Sequence, residues 1–213
     1  MGEYKNHFSL QNYRDLLIQT KNLYPILGFE VLESGFPKRF AILRHDIDFS
    51  PVQALKLAKI ESDMGIRATY YVLVTGIFYN ALDSDNVSIF REIEELGHDL
   101  GLHYDASYHS INSENELHES IKSELSVLNR FLNPKRKIET FSFHNTTEFT
   151  MQCLSTHYGG LRNPYANILQ KSVEYISDSN GFWRFRSWSQ LLSQNHPRIQ
   201  ILTHPGWWID DNI

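Results

Sequence analysis

Cysteine is almost absent from this chain. Its one representative among 213 residues, Cys153, has no partner for an internal disulfide, which excludes disulfide-stapled secreted scaffolds and fits a reducing compartment, with the cytoplasm as the expected address. Nothing beside Cys153 would activate it, so it reads as a small apolar filler. Long hydrophobic runs are missing too. The opening stretch MGEYKNHFSLQNYRDLL mixes charges among its apolar residues and predicts neither a secretory signal nor a membrane span. Gly2 is followed by Asn6 where a myristoylation start carries Ser or Thr. Basic clusters are lacking and the net charge is -5, so no nucleic-acid or anionic-membrane partner is expected. No Pro/Gly/Ser-rich linker and no internal repeat interrupts the sequence, which predicts a single domain over residues 1–213, with 1–38 as a helical extension packed on it.

What is present is an ordinary globular composition, 41% hydrophobic and 21% charged, arranged as a βα alternation. Short apolar runs predict strands at Phe40–Asp46, Arg67–Val74, Asp99–His103, Thr140–His144, Gly159–Arg162, Val173–Ser177 and Ile199–His204. Ser50 before Pro51, with Gly65 at the far end, predicts a helix over Val52–Met64. Ser113 and Glu116 make a capping box for a helix that carries Leu117, Ile121, Leu125 and Leu128 at helical spacing and ends near Leu132, ahead of Pro134. An opening helix spans about Leu10 to Leu23. Six or seven strands with helices between them make a doubly wound sheet or a barrel. A nucleotide-binding doubly wound sheet carries a glycine-rich turn after its first strand, and that turn here is DIDFSP, without glycine, so a (β/α) barrel is expected.

Ionisable residues gather at the C-terminal ends of the predicted strands: Asp46 and Asp48, His103, His144, Arg162, Asp178 and His204. In a barrel those ends converge on one mouth, where active sites are built. Asp48 alone reads more readily as a turn residue favoured by a helix dipole. Asp46 changes that reading, because positions 46 and 48 lie on the same side of an extended segment, and two carboxylates facing one way repel unless a cation or proton sits between them. His103 is the imidazole candidate of GHDLGLHYD, whereas His98, five residues earlier, faces the other side and reads as structural. His144 follows the alternating Phe141 and Phe143, and His109, in a loop, is a further candidate.

One carboxylate and two imidazoles, with positions left for water, is a catalytic donor set for zinc, and iron, cobalt, nickel or manganese would also be accepted. Such an ion lowers the pKa of a bound water to about 7. Asp46 is then placed to take the water's proton and His204 to protonate a leaving group. Arg162 either holds Asp46 ionised or is a surface arginine. Of Trp183, Trp188, Trp207 and Trp208, at least half are expected in the core, with Trp207 and Trp208 able to line the mouth where sugars stack.

With those residues laid out, the chain resembles the polysaccharide deacetylases, the NodB-homology group or carbohydrate esterase family 4, from about Phe40 to Trp208. HDID resembles the first family motif, which implies Asp46 as catalytic base and Asp48 as metal ligand. GHDLGLHYD is similar to GHEIGxH, which implies His103 as first metal histidine. The position of the usual second histidine, four residues on, is Ser107, so His144 or His109 completes the site or it has one ligand fewer. LRNPY resembles the third motif, implying Arg162 to orient the base and the backbone N–H of Tyr165 to help bind the oxyanion. SDSNGFW resembles the fourth through Asp178 and Trp183, and ILTHP the fifth through Leu202 and His204. RHDID, FSFHN, ISDSNGFWR and THPGWW together also resemble a deacetylase-like branch found with bacterial surface-polysaccharide genes.

The resemblance implies a distorted (β/α) barrel and a metal-dependent deacetylase of an acetylated sugar or sugar-containing small molecule. Asp48, His103 and His144 hold the metal; Asp46, His204 and Arg162 are catalytic; Tyr165, Asp178, Trp183 and Trp207 contact substrate. The competing readings are a non-catalytic carbohydrate-binding or regulatory descendant of the fold, and a hydrolase of another C–N bond.

Overall fold

The computed structural model of the chain describes residues 8–210. Helix α1 (Leu10–Leu23) starts where the Ser9 hydroxyl accepts the Asn12 N–H, and a single turn, α2 (Val31–Ser34), follows. Strand β1 (Phe40–Ile47) is buried along its whole length, as a parallel strand covered on both faces must be. Helix α3 (Pro51–Asp63) begins as its sequence dictates: Ser50 Oγ accepts the Gln53 N–H at 3.3 Å, Pro51 opens the first turn, and Gly65, at φ 66°, takes the left-handed conformation just beyond the end.

β2 (Thr69–Leu73), α4 (Ser84–Glu95), β3 (Asp99–Tyr104) and the single turn α5 (Ala106–His109) come next. Helix α6 (Glu114–Leu132) ends where expected, with Asn133 in the left-handed region ahead of Pro134. Ser113 caps it, but the Glu116 carboxylate accepts the Asn112 N–H at 3.0 Å, so the expected box closes one residue earlier than Ser113. The rest of the chain forms β4 (Phe141–Phe143), β5 (His157–Tyr158), β6 (Leu161–Arg162), α7 (Asn167–Ser172), β7 (Glu174–Ser177), α8 (Trp188–Ser193) and β8 (Arg198–Thr203).

Six strands pair in parallel in the order β4-β3-β2-β1-β8-β7 and curl into a half-barrel. This is the expected distorted (β/α) barrel. The segment Gly159–Arg162, expected among its strands, is not one of them. Gly159 and Gly160 both have positive φ (58° and 82°) and turn the chain back between β5 and β6, which form a separate antiparallel pair. Two consecutive residues in that conformation are the mark of a tight hairpin. The hairpin touches the barrel's edge through a bridge between Thr140 and Arg162, at the start of β4.

Helices cover the outer face of the sheet. The largest apolar cluster lies between the two, with Trp188 and Trp208 fully buried in it and α1 packed against α3 and α8. A buried polar knot joins these layers. Glu61 of α3 accepts hydrogen bonds from Tyr13 and Tyr70, each at 2.6 Å, and faces His45 Nε2 at 2.8 Å. His98 is structural, as expected: its Nε2 donates to the Ala58 carbonyl, its Nδ1 accepts the Ala68 N–H, and burial lowers its pKa.

The inner face is divided along the barrel axis. At the N-terminal ends of the strands, Phe29, Val31, Phe40, Ile42 and Tyr71 fill the interior. Tyr71 packs so closely on β3 that a Cβ at Gly101 would lie 2.4 Å from its ring, so only glycine fits there. Toward the C-terminal ends the inner positions turn polar, with Arg44, Asp46 and His103 buried there. Among the described residues no helix is long and apolar enough to cross a membrane.

Candidate metal and catalytic centre

Asp48, just past β1, His103 from β3 and His144, just past β4, present three electron-rich atoms to one point. Asp48 Oδ1 lies 3.0 Å from His103 Nε2 and 3.3 Å from His144 Nδ1, and the two imidazole nitrogens are 3.2 Å apart. Ligands about 2.0–2.1 Å from a four-coordinate zinc stand roughly 3.3 Å from each other, so the edges of this triangle fit a single dication. The tautomer fits as well. His103 Nδ1 faces the Ser142 carbonyl at 3.0 Å, which can only accept, so its N–H is used there and Nε2 offers a lone pair inward. Burial would raise the Asp48 carboxyl, but the imidazoles of His103, His144 and His204 around it outweigh that and hold it far below the usual carboxylate range. Burial would likewise lower His144, and Asp48 raises it instead.

His144, not His109, completes this triangle. His109 stacks on the Tyr104 ring and its Nε2 meets Glu124 on α6, away from the mouth. Ser107 is occupied with the Asp105 carboxylate at 2.6 Å.

Asp46 lies on the inner face of β1 beside the triangle, its Oδ2 3.8 Å from His103 Nε2. That Oδ2 accepts from Ser142 Oγ (3.0 Å) and from the Arg44 guanidinium (3.2 Å), while Oδ1 has no protein partner. Across the mouth, His204 Nδ1 meets Asp178 Oδ1 at 2.6 Å, and Asp178 also accepts the His204 N–H and the Trp208 indole N–H, both at 2.9 Å. His204 Nε2 is left facing the site, 3.8 Å from Asp48 Oδ2. Burial would lower the imidazole's pKa, but the hydrogen bond and charge of Asp178 raise it to about 9. A cavity of about 380 Å³ opens between these groups, with Asp46, His144 and His204 at one end and Tyr165, Tyr175 and Arg184 along its walls.

Several expected site residues lie elsewhere. Arg162, expected to steer Asp46, donates to Glu33 and Glu139 beside the start of β4, at the opposite end of the strands. The guanidinium beside Asp46 belongs to Arg44, which is fully buried under the Tyr165 ring and donates to the Tyr165 hydroxyl (2.7 Å), to Ser142 Oγ (3.0 Å) and to Asp46. The sequence carried a signal for it: residues 44, 46 and 48 share one face of an extended segment.

The Tyr165 backbone N–H, expected at the oxyanion, donates to the Asn163 side chain, and it is the Tyr165 hydroxyl and ring that reach the cavity. Asp178, expected to contact substrate, is completely buried behind His204. Trp183 stacks on Phe8 and meets Trp208, and Trp207 packs edge-on against Phe49, so neither forms the cavity wall expected of it. Trp188 and Trp208 are core residues. Cys153 is buried with a raised thiol pKa, in keeping with a filler.

Compared by sequence, the chain matches no protein-family model and no curated protein. By structure it is similar to a CE4 esterase from Streptococcus mutans, at 14% identity and a TM-score of 0.54 over 90% of this chain and 82% of that one. It is also similar to a Streptococcus pyogenes deacetylase solved in complex with acetate, at 16% identity and 0.52, over 86% of this chain and 85% of that one. A family 4 carbohydrate esterase from Bacillus anthracis aligns at 16% identity and 0.52, over 91% of this chain and 77% of that one. Across these three the likeness extends over most of each chain, and this protein has the NodB-type half-barrel fold of the family 4 carbohydrate esterases.

Proposed function

We propose that the protein is a metal-dependent hydrolase that removes acetyl groups from a carbohydrate or sugar-like substrate. The observation that carries this reading is the triangle of Asp48 Oδ1, His103 Nε2 and His144 Nδ1, which brings three donors within 3.3 Å of one another beside a second carboxylate that is not part of it. A carboxylate and two imidazoles suit zinc, with iron, cobalt, nickel and manganese as alternatives ranked more by the ion than by the site. When bound there, the ion lowers the pKa of a water and polarises the acyl oxygen.

The chain's own groups do the rest. Asp46, which lines the cavity and whose Oδ1 has no protein partner, accepts a proton from the attacking water as its oxygen bonds to the acetyl carbon. Arg44 and Ser142 hold Oδ2, so the base keeps one orientation. As the tetrahedral intermediate collapses, His204 Nε2 gives its proton to the departing nitrogen or oxygen, and the carbon–heteroatom bond breaks to release acetate and the free amine or hydroxyl. Asp178 keeps His204 protonated and correctly turned.

The test measures bound metal, then acetate release from N- and O-acetylated sugars with and without chelator, for the wild type and Asp46→Asn. One metal per chain and chelator-sensitive acetate release that Asp46→Asn reduces to a small residual rate are expected. Stoichiometric metal without turnover of any amide or ester would favour a non-catalytic binding protein. Ring-opened product or ammonia in place of acetate would favour a hydrolase of another C–N bond.

A further inference from the structure

We propose that the substrate carries an anionic substituent, a phosphate ester or a carboxylate, seated on Arg184 across the cavity from the catalytic groups. The inference rests on the hydrolase reading for the identity of the sugar, and on the cavity itself for the anion. The loop between β7 and α8 places Arg184 and Arg186 on the lining of that cavity. Arg186 is committed to Glu174 and to Gln194. Arg184 is solvent-exposed, lines the same cavity of about 380 Å³ as Asp46 and His204, and makes no hydrogen bond or ion pair with any described residue.

A neutral sugar gives a guanidinium at that position nothing to neutralise. Other residues of the lining fit a sugar body: Tyr165 and Tyr175 bring aromatic rings and Thr146 a hydroxyl. Charge points the same way. The protein as a whole carries -5 and repels an anion at long range, so an anion would be drawn in only by a local cationic wall. Arg44 offsets the Asp46 carboxylate, and Arg184 on the cavity lining supplies the cationic charge. A guanidinium also matches phosphate and carboxylate in a planar two-pronged geometry that hydroxyls do not reproduce.

The experiment reads affinity separately from turnover. In metal-loaded Asp46→Asn protein, which retains substrate, calorimetric titrations compare N-acetylglucosamine, its 6-phosphate and 1-phosphate, and N-acetylmuramic acid, whose carboxylate stands for the second source of charge. At least one anionic sugar is expected to bind about 10- to 100-fold more tightly than the neutral one, the size of a charge-assisted hydrogen bond. Adding Arg184→Gln should erase that ratio and Arg184→Glu should invert it. Lys122→Gln, which removes one positive charge from the distant α6 surface, should leave the ratio intact.

Preference for a phosphate or for the carboxylate identifies the substituent, and either upholds the proposal. Equal binding of all four sugars, no binding of any, or a preference that survives Arg184→Glu would overturn it. Acetate release by the wild type is measured on the same sugars. An anion preference without acetate release would refute the hydrolase reading and leave the anion site standing; acetate release without the preference would do the reverse.

Discussion

Replacing Arg44 with methionine tests the centre's least expected feature, a guanidinium supplied from β1 itself. The substitution keeps an unbranched stem in the barrel interior but removes the donor to Asp46 Oδ2, Ser142 and Tyr165. A buried carboxylate stripped of its cation costs about 3–5 kcal/mol. Two Arg44 nitrogens, Nε and Nη1, have no partner in the wild type, and relieving each returns about 1–3 kcal/mol. The terms nearly cancel, so denaturant unfolding should show a loss of at most about 3 kcal/mol.

Catalysis should suffer far more. A base held by Ser142 alone is displaced, and a misplacement of about 1 Å costs on the order of 100-fold in kcat. Because Arg44 acts through Asp46, the loss should vanish in an Asp46→Asn background, where Arg44→Met should change kcat/KM by less than about threefold. Arg162→Met removes only a partly exposed surface pairing and should cost about 0–1 kcal/mol of stability and little activity. A full 100-fold loss in the Asp46→Asn background, or an equal loss from Arg162→Met, would refute the assignment of Arg44 as the positioning residue.

The remaining expectations concern metal, acid and scaffold. His144→Ala should lose stoichiometric metal on dialysis, with affinity falling by more than the roughly 10–100-fold typical of supporting partners, whereas His109→Ala, which loses only its contact with Glu124, should retain it; elemental analysis decides. Asp178→Asn removes the charge that, against burial, raises His204 to about 9. The protonated acid then gives out at lower pH, and the alkaline limb of kcat should move down by about two units or more. Glu61→Leu should cost about 3–5 kcal/mol by stripping a buried knot of its acceptor. In the wild type, burial would raise the Glu61 pKa, but His45, His98 and Tyr13 outweigh it and bring it below the ordinary 4.5. Its stabilisation is therefore complete above about pH 4.5 and lost as pH falls through the lowered native value. Glu61→Gln should flatten the acid side of the stability curve.

The chain made its strands and their ends legible because both depend on near neighbours. Apolar runs, the Ser50–Pro51 start and the Pro134 stop locate β1, α3 and α6 within a residue or so. Asp48, His103 and His144 then met because parallel strands deliver their last residues to one rim. What failed depended on side-chain direction or on distant partners. Gly159–Arg162 reads as a strand, yet its paired positive-φ glycines make a turn and leave only Leu161–Arg162 extended, as β6. Asp178 sits at a strand end as expected, but whether it faces substrate or the back of an imidazole is decided by His204, 26 residues away in sequence. Arg162 lies on the hairpin beside the start of β4 whereas Arg44 is buried inside the barrel next to Asp46, a difference set by tertiary packing and not by the local sequence.

That alternation is the centre's organising device. A strand advances about 6.6 Å for every second residue, so Arg44, Asp46 and Asp48 place the positioning cation, the base and a metal ligand along one line whose spacing is set by backbone and not by loops. β8 runs beside it in a fixed register, with His45 opposite Thr203, and the two side chains meet at 2.6 Å on the outer face. His204, the acid, follows Thr203 directly, so the separation of base and acid is tied from behind by the His45–Thr203 contact and, through His45, by Glu61 of α3. Base and acid therefore stand on adjacent strands clamped on the side away from solvent. A substitution in that outer knot should loosen both groups together, lowering kcat while leaving the metal triangle, which draws two of its three ligands from β3 and β4, able to bind its ion.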